Sequence, residues 1–330
     1  MIFAALDLFG IIDSITEISV EIDPSDVVET TIADLKAFGL TRASIGVQDF
    51  DPAVQAAINR PQSFEKTLEV VNGLRAAGIS SLNIDALYGL PLQTPERLQK
   101  TISQVLSLEP DRIALFGYAH VPWLKPHQKL ILDSDLPNQR ERLVESMRAA
   151  QSIVDGGYHA IGIDHFAKPQ DTLAVASRNS GLHRNFQGYT DDNCAVMIGF
   201  GPSSISRYPV GFIQNEIATA RYSAAISQGS FAFAKCLELS PDDMIRGWII
   251  ERLMCDFAFS RAKLVLKFGA EAEFYWDEAL AIALEDNAGL CHVEGSNFAM
   301  TPDAKPLVRI IAAKFDRWVA TNKFQYSKTV

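Results

Sequence analysis

Apolar segments recur through the first 120 residues, and an amphipathic segment follows each of them. They start near residues 17, 42, 81 and 112, so the intervals between them run from 25 to 39 residues. This spacing is typical of βα units, which place parallel strands in one sheet and helices against its faces. The segments are apolar enough to be buried on both faces. The sequence therefore predicts an α/β fold with a parallel sheet, and four units are too few to close it into a barrel. The predicted strands are EISVEID (17–23), RASIGVQDF (42–50), SLNIDALYG (81–89) and RIALFGYAH (112–120).

Helix start and stop signals separate these strands. Ser63 is placed as an N-cap and Gly78 as a stop for a helix over 63–78. Thr94 followed by Pro95 begins another helix, because proline fits the first helical position. A further helix is expected over 27–39.

The pattern changes after residue 120. A strand is expected over 158–167, residues 168–215 are rich in glycine, asparagine and serine, and a capped helix begins at Ser240. Helices, a hairpin over 289–301 and a last helix over 307–320 predict a mostly helical, winged-helix-like C-terminal domain. We therefore expect one domain over 1–215 and a second over 216–330.

Polar residues stand at the carboxyl end of every predicted strand, where ligands of α/β proteins bind. Taken singly, each is more often the cap of the following helix. Together they favour a binding site, without indicating a particular chemistry. They are Glu21 and Asp23, Gln48 and Asp49, Asp85, and Tyr118 and His120.

Other polar residues carry weaker signals. Arg60 ends a short helical segment, where arginine is commonly solvated. His165 and His183 are more often structural than functional. The segment GFGPSS (199–204) lacks the third glycine of a dinucleotide-binding fingerprint, although its backbone is able to contact a ligand.

Composition narrows the partners and the compartment. Thirty basic against forty acidic side chains give a formal charge of −10, which disfavours binding to a nucleic-acid duplex. No apolar run reaches the length of a membrane helix, and the apolar start MIFAALDLFGII carries Asp7 and no basic segment, so no signal peptide is expected. We expect a cytoplasmic monomer that binds neither nucleic acid nor membrane. The four cysteines are scattered and form no CxxC, so neither a disulfide framework nor a thiolate metal site is expected; they are Cys194, Cys236, Cys255 and Cys291.

A series of long blocks follows in a fixed order along the chain. The blocks are SVEIDP, SIGVQDF, INRPQ, NIDALYGLPLQT, LFGYAHVP, GIDHFAKPQDTLAVA, LHRNFQGYT, GPSSIS and SPDDMIRGWIIERLMCDF. Together they resemble the oxygen-independent coproporphyrinogen III oxidase family of the radical S-adenosylmethionine superfamily, from about residue 15 to residue 330. A haem-chaperone branch has HNxxYW where this chain has HRNFQGYT, so the resemblance is to the oxidase branch.

The resemblance implies the last four of six βα units of a partial radical S-adenosylmethionine barrel, followed by the C-terminal domain. It implies anaerobic oxidative decarboxylation of two propionates of coproporphyrinogen III, giving protoporphyrinogen IX, with an electron donor as partner. Arg and Lys suit the substrate carboxylates, so Lys168 and Arg184 are candidate substrate residues. No catalytic residue is assigned. The positions that match the S-adenosylmethionine contacts of the family are Glu21, Gln48, Arg60, Asp85, Ala119 and Ile205.

The chain departs from the family in one respect. Members carry CxxxCxxC, whose thiolates hold a [4Fe–4S] cluster, and a GGGTP loop; neither occurs in these 330 residues. We expect a truncated gene model rather than a natural fragment, and we expect the chain alone to be inactive. The alternative is a non-catalytic haem-binding or chaperone-like relative. A third hypothesis, a winged-helix nucleic-acid binder, has the weakest support.

Overall fold

A computed structural model describes residues 17–28 and 30–321, and the elements are numbered over these residues. The apolar start of the chain, for which no signal peptide is expected, lies outside the described residues. The described residues form two compact units, the first ending at Arg178 and the second beginning at Asn179. This division falls earlier than the domain boundary expected between residues 215 and 216, which stays a prediction.

One six-stranded sheet organises the first unit, in the order β1-β2-β3-β4-β6-β5. Strands β1 to β4 are adjacent and parallel, as the βα spacing predicts. The elements of this unit are β1 (Ser19–Ile22), α1 (Thr31–Ala37), β2 (Arg42–Gln48), α2 (Pro52–Ala57), α3 (Phe64–Ala76), β3 (Ser81–Tyr88), α4 (Pro95–Ser107), β4 (Arg112–Gly117), α5 (Gln139–Asp155), β5 (His159–Ile161), β6 (His165–Ala167) and α6 (Thr172–Arg178).

The single strand expected over 158–167 is instead a hairpin of β5 and β6. Gly162 turns the chain with φ of +58°, a conformation that glycine adopts without steric cost. Strand β6 then pairs antiparallel with β4, placing His165 opposite Ala114. The parallel part of the sheet therefore ends at β4.

β2 and β3 each have one apolar and one polar face, so the expectation of strands buried on both faces is wrong for them. It is confirmed for β4, whose first four residues are all buried. In β2, Ala43, Ile45 and Val47 are almost fully buried, whereas the residues between them are half-buried. β3 alternates in the same way, with Leu82 and Ile84 in the core. Strand side chains alternate between faces, so the polar members of both strands share the other face.

The helix caps confirm the start signals read from the sequence. The Ser63 side chain accepts a hydrogen bond from the Lys66 N–H, and the Thr94 side chain caps α4 in the same manner. Gly78 has φ of +87° just after α3. These caps orient α3 and α4, which bury one face each against the sheet.

The second unit contains three small sheets, and its last part follows the winged-helix order. A helix, a short strand, two helices and a hairpin succeed one another from Pro241 to Met300, and the hairpin lies within the predicted segment 289–301. The elements are β7 (His183–Asn185), β8 (Gly188–Thr190), β9 (Ile205–Tyr208), β10 (Gly211–Asn215), α7 (Thr219–Ser227), β11 (Phe233–Glu238), α8 (Pro241–Asp256), β12 (Ala258–Ser260), α9 (Arg261–Phe268), α10 (Glu273–Leu284), β13 (Cys291–Glu294), β14 (Asn297–Met300), α11 (Val308–Lys314) and α12 (Arg317–Thr321).

Within the described parts of the chain, no helix combines the length and the apolar character needed to cross a membrane.

Candidate functional site at the carboxyl ends of the parallel strands

Asp85 lies on the polar face of β3 within a hydrogen-bonded group. Its carboxylate accepts hydrogen bonds from Ser44 Oγ at 3.2 Å and from Asn83 Nδ2 at 2.7 Å. Asn83 Nδ2 also donates to Ser44 Oγ at 2.8 Å. Two neighbouring strands therefore fix the orientation of the carboxylate.

Burial raises the pKa of Asp85, and the hydrogen bonds from Asn83 and Ser44 oppose that shift. The negative charge of Glu21 raises the pKa further. Glu21 is the register partner of Ser44, which itself donates a hydrogen bond to Asp85. The Glu21 side chain is exposed, and its carboxylate makes no hydrogen bond or ion pair with the other described residues. A ligand that donates hydrogen bonds would relieve the repulsion between these two acids.

Gly46 brings Gln48 and Arg60 together beside Asp85. A Cβ on Gly46 would lie 3.2 Å from both Gln48 Nε2 and Arg60 Nη2, so glycine leaves room for the two side chains. Gly46 is also the register partner of Asp85 on β3. Arg60 is held by an ion pair to Asp23 at 2.7 Å and by donation to the Gly46 carbonyl at 3.1 Å.

Gln48 interrupts the ladder of β2 with a backbone strained at φ of +68°. A left-handed conformation costs a non-glycine residue about 1–2 kcal/mol. Strain of this kind clusters at binding sites, where the surrounding structure holds it. The Gln48 amide is thereby directed toward Gly46 rather than along the strand.

Asp49, the next residue, has a structural role. It is buried and accepts hydrogen bonds from Gln93 Nε2 at 2.6 Å, Thr101 Oγ1 at 2.9 Å and the Asp51 N–H at 2.6 Å. Burial raises its pKa, and these hydrogen bonds oppose the shift. Asp49 thus connects the end of β2 to α4 and carries no free acceptor face toward the site.

Two further candidates in the first unit occupy different ends of the sheet. Ala119 follows β4 at the carboxyl end and is exposed, and its carbonyl accepts a hydrogen bond from Gln128 Nε2 at 3.1 Å. Lys168 follows the antiparallel β6 and so lies at the amino end of β4, where Nζ donates to the Glu109 carbonyl at 3.0 Å. The structure does not bring Lys168 to the edge that holds Asp85.

Arg184 and Ile205 belong to the second unit. Arg184 lies over the Tyr189 ring, with Cζ 5.5 Å from its centroid, and its buried Nε has no partner among the described residues. Ile205 begins β9, directly after the loop GFGPSS. Asn215 holds this loop by donating to the carbonyls of Gly199 and Gly201. These assignments stay predictions.

The two histidines singled out above have carboxylate partners. His165 Nδ1 lies 2.7 Å from Asp164 Oδ1, and His183 Nδ1 lies 3.2 Å from Glu251 Oε1. His165 also packs edge-on against Phe116. Structural roles account for both contacts.

Sequence reasoning missed Ser44 and Asn83, which orient Asp85. The signal was present as a period of two: polar side chains alternate with apolar ones along both strands. This alternation was overlooked because the strands were expected to be buried on both faces.

Glu145 of α5 is a buried acid next to this edge. Its Oε2 accepts a hydrogen bond from the Gly89 N–H at 3.0 Å, directly after β3, while its buried Oε1 has no partner among the described residues. Burial raises the pKa of Glu145 to about 7, and the Gly89 N–H and the charge of Arg142 oppose the shift. The folded state therefore binds the Glu145 proton more tightly than the unfolded state does.

We expect Glu145→Gln to remove a pH dependence of stability. Because the pKa is raised from 4.5 to about 7, the folded state binds the proton more tightly, and the free energy of unfolding falls as pH rises through that window. The full loss is about 3 kcal/mol. Urea unfolding at pH 5 and pH 8 should show the variant gaining most of this amount, about 2.5 kcal/mol, relative to the unchanged chain between the two pH values. Glu65→Gln, at an exposed position of α3, is the control and should keep the pH dependence of the unchanged chain. If the free energy of unfolding of Glu145→Gln depends on pH as that of the unchanged chain does, this interpretation of Glu145 is wrong.

Comparisons with known proteins identify the family to which this chain belongs. The profile of the Radical SAM superfamily matches residues 2–105. Oxygen-independent coproporphyrinogen III oxidase of Cereibacter sphaeroides is 44% identical over 312 residues, which cover 94% of this chain and 69% of that one. The protein of the same name from Thermostichus vulcanus is 39% identical, covering 92% of this chain and 94% of that one.

A solved structure agrees with the sequence relatives. Coproporphyrinogen III oxidase from Escherichia coli, described as a radical SAM enzyme, superposes with a TM-score of 0.90 at 35% identity, covering 96% of this chain and 74% of that one. The fold, including the four parallel strands, is therefore that of a radical SAM protein. The chain belongs to the oxygen-independent coproporphyrinogen III oxidase family of the radical SAM superfamily.

Proposed function

We propose that this chain serves the anaerobic oxidative decarboxylation of coproporphyrinogen III to protoporphyrinogen IX in haem biosynthesis, as an oxidoreductase. The relative named oxygen-independent coproporphyrinogen III oxidase, which is 44% identical over nearly the whole chain, supports the reaction. The observation that carries the proposal is the group of polar side chains formed by Glu21, Gln48, Arg60 and Asp85 at the carboxyl edge. These are also the positions that match the cofactor contacts of the family.

The residues present suit S-adenosylmethionine, which, when bound and reduced, supplies the species that removes a hydrogen from the substrate. Asp85 and Glu21 would accept hydrogen bonds from the ribose hydroxyls or the amino group. Gln48 would offer an amide to the adenine or the carboxylate. Arg60, neutralised by Asp23, would position the ends of β1 and β2 around the ligand. The space left by Gly46 is where such a ligand would approach the backbone.

The residues present do not suit a [4Fe–4S] cluster. All four cysteines are free thiols in the second unit, with Cys194 and Cys236 exposed and Cys255 and Cys291 buried. Among the described residues, no three His, Cys, Asp or Glu side chains form a group that could hold a metal ion. Burial raises the pKa of Cys255 to about 12, which opposes thiolate ligation. This chain's own thiols therefore do not supply the cluster of the family.

A chimera tests the proposed function. Fusing the CxxxCxxC segment of a relative to this chain should give a protein that converts coproporphyrinogen III to protoporphyrinogen IX under anaerobic conditions. The chimera with Asp85→Ala should form product at least about tenfold more slowly, as expected for loss of a charge-assisted hydrogen bond. Cluster assembly without product formation would refute the proposed reaction.

A non-catalytic haem-binding relative on the same scaffold is the second candidate. Titration with haem under reducing conditions, followed by visible spectroscopy, separates the two. A saturable shift of the Soret band at one haem per chain would support the haem-binding function. The HRNFQGYT block and the relatives' names support the oxidase instead.

The remaining expectations rest on composition and on the family resemblance. We infer a cytoplasmic location, because the four cysteines are free and unclustered, as is usual for chains of reducing compartments. A monomeric state, the absence of nucleic-acid and membrane contacts, and the need for an electron donor stay predictions.

A further inference from the structure

Arg142 of α5 lies across the carboxyl ends of β3 and β4. A Cβ on Gly89 would come within 2.7 Å of its Nη1 and 2.9 Å of its Cζ. A Cβ on Gly117 would lie 3.2 Å from its Nη2. Both strand ends therefore carry glycine where the guanidinium packs against the backbone.

Two contacts fix the plane of this guanidinium. Nη1 donates to the Tyr118 carbonyl at 3.0 Å, and Cζ lies 5.8 Å from the centroid of the Tyr88 ring. Tyr118 follows β4, and its N–H pairs with the Tyr88 carbonyl, so both contacts belong to the same pair of strand ends. Within the described residues the side chain donates no other hydrogen bond, although a guanidinium carries five N–H donors.

The charge of Arg142 has no ion-pair partner in the part of the chain that the structure describes. Arg60 and Arg112 of the same unit differ, since they pair with Asp23 at 2.7 Å and Asp171 at 2.9 Å. Glu145, one helical turn further along α5, directs its carboxyl to the Gly89 N–H instead. Arg142 thus presents an oriented cation at the site edge that makes no ion pair within the described residues, although its charge acts on Glu145.

We propose that Arg142 binds a carboxylate of the ligand that occupies the carboxyl edge of the sheet. The proposal rests on the function proposed above, and it names a residue that sequence reasoning did not find. A planar guanidinium with free donors pairs with a carboxylate through two parallel hydrogen bonds, which fixes the orientation of the bound group. Two carboxylates fit the proposed reaction: the propionates of the tetrapyrrole and the methionyl carboxylate of S-adenosylmethionine.

Binding of coproporphyrin III, followed by its fluorescence, tests the proposal. We expect Arg142→Gln to weaken binding by at least about tenfold, as for loss of a charge-assisted pair. Arg142→Lys keeps the charge but loses the planar guanidinium. Its affinity for coproporphyrin III should therefore lie between those of the unchanged chain and Arg142→Gln. The tetramethyl ester of coproporphyrin III should bind the unchanged chain and Arg142→Gln equally. Arg148→Gln, on the same helix with a side chain that is largely exposed, is the control, and circular dichroism with thermal unfolding checks that each variant is folded.

A second set of titrations identifies which carboxylate Arg142 binds. S-adenosylmethionine is titrated against the same variants by saturation-transfer NMR. A loss confined to coproporphyrin III assigns the propionate to Arg142, and a loss confined to S-adenosylmethionine assigns the methionyl carboxylate. If Arg142→Gln binds both ligands like the unchanged chain, the proposal is overturned while the proposed function stands. If the unchanged chain binds neither ligand, the proposed function fails and the proposal with it.

Discussion

We expect Asp85→Ala to abolish detectable binding of S-adenosylmethionine to this chain. Asp85 is the half-buried carboxylate that Ser44 and Asn83 orient, and the nearby acid Glu21 is exposed and lacks such support. A hydrogen bond involving a charged group contributes about 1.5–3 kcal/mol, so its loss weakens binding by roughly tenfold to more than a hundredfold. The unchanged chain has no cluster iron to anchor the methionyl group, and we expect its affinity to be near millimolar. The loss therefore takes the affinity out of the measurable range.

Saturation-transfer NMR suits an affinity of this size. The unchanged chain should transfer saturation to the adenine and ribose protons, and Asp85→Ala should not. Asp85→Asn preserves the shape of the side chain and tests whether the charge is needed; we expect it to bind more weakly than the unchanged chain. Asp155→Ala, at the exposed end of α5, is the control. Signals from Asp85→Ala equal to those of the unchanged chain would mean that the nucleotide binds elsewhere.

We expect iron–sulfide reconstitution of the 330-residue polypeptide to yield no stoichiometric [4Fe–4S] cluster. The cysteines closest in sequence, Cys236 and Cys255, are 19 residues apart, one exposed and the other buried. Cluster ligation requires thiolates that are close in space, and desolvation opposes thiolate formation at Cys255 and Cys291 by raising the pKa of each to about 12. Without a cluster there is no electron path to S-adenosylmethionine, so the polypeptide should not decarboxylate coproporphyrinogen III.

Absorbance and EPR after gel filtration measure the outcome, with a CxxxCxxC-containing relative reconstituted in parallel as the positive control. Protoporphyrinogen IX is measured in the same samples after addition of S-adenosylmethionine and dithionite. An EPR signal near one cluster per chain that survives gel filtration would contradict the account. Turnover without a cluster would contradict the proposed chemistry as well.

The parallel sheet could be predicted from the sequence because its signals are local. Strand spacing, the caps Ser63 and Thr94, and the stop at Gly78 each depend on residues a few positions apart. The hairpin at β5 and β6 escaped prediction, because a central glycine within an apolar run is compatible with either a strand or a turn.

The candidate site could be predicted only in part. Glu21 and Asp85 follow from the rule that ligands bind at the carboxyl ends of strands. The Arg60–Asp23 ion pair and the close approach of Arg142 to Gly89 depend on contacts across loops, which no local pattern encodes. Lys168 was expected to contact the substrate, but it follows β6, which runs antiparallel to β4. It therefore lies at the amino end of β4, away from Asp85.

A crystal structure of the chain soaked in S-adenosylmethionine would show whether the carboxyl edge of the sheet is a nucleotide site. We expect ligand density over Gly46, with the ribose hydroxyls or amino group within hydrogen-bonding distance of Asp85 and Glu21. Density at any other place, or an empty carboxyl edge at a concentration that saturates the NMR signal, would contradict it.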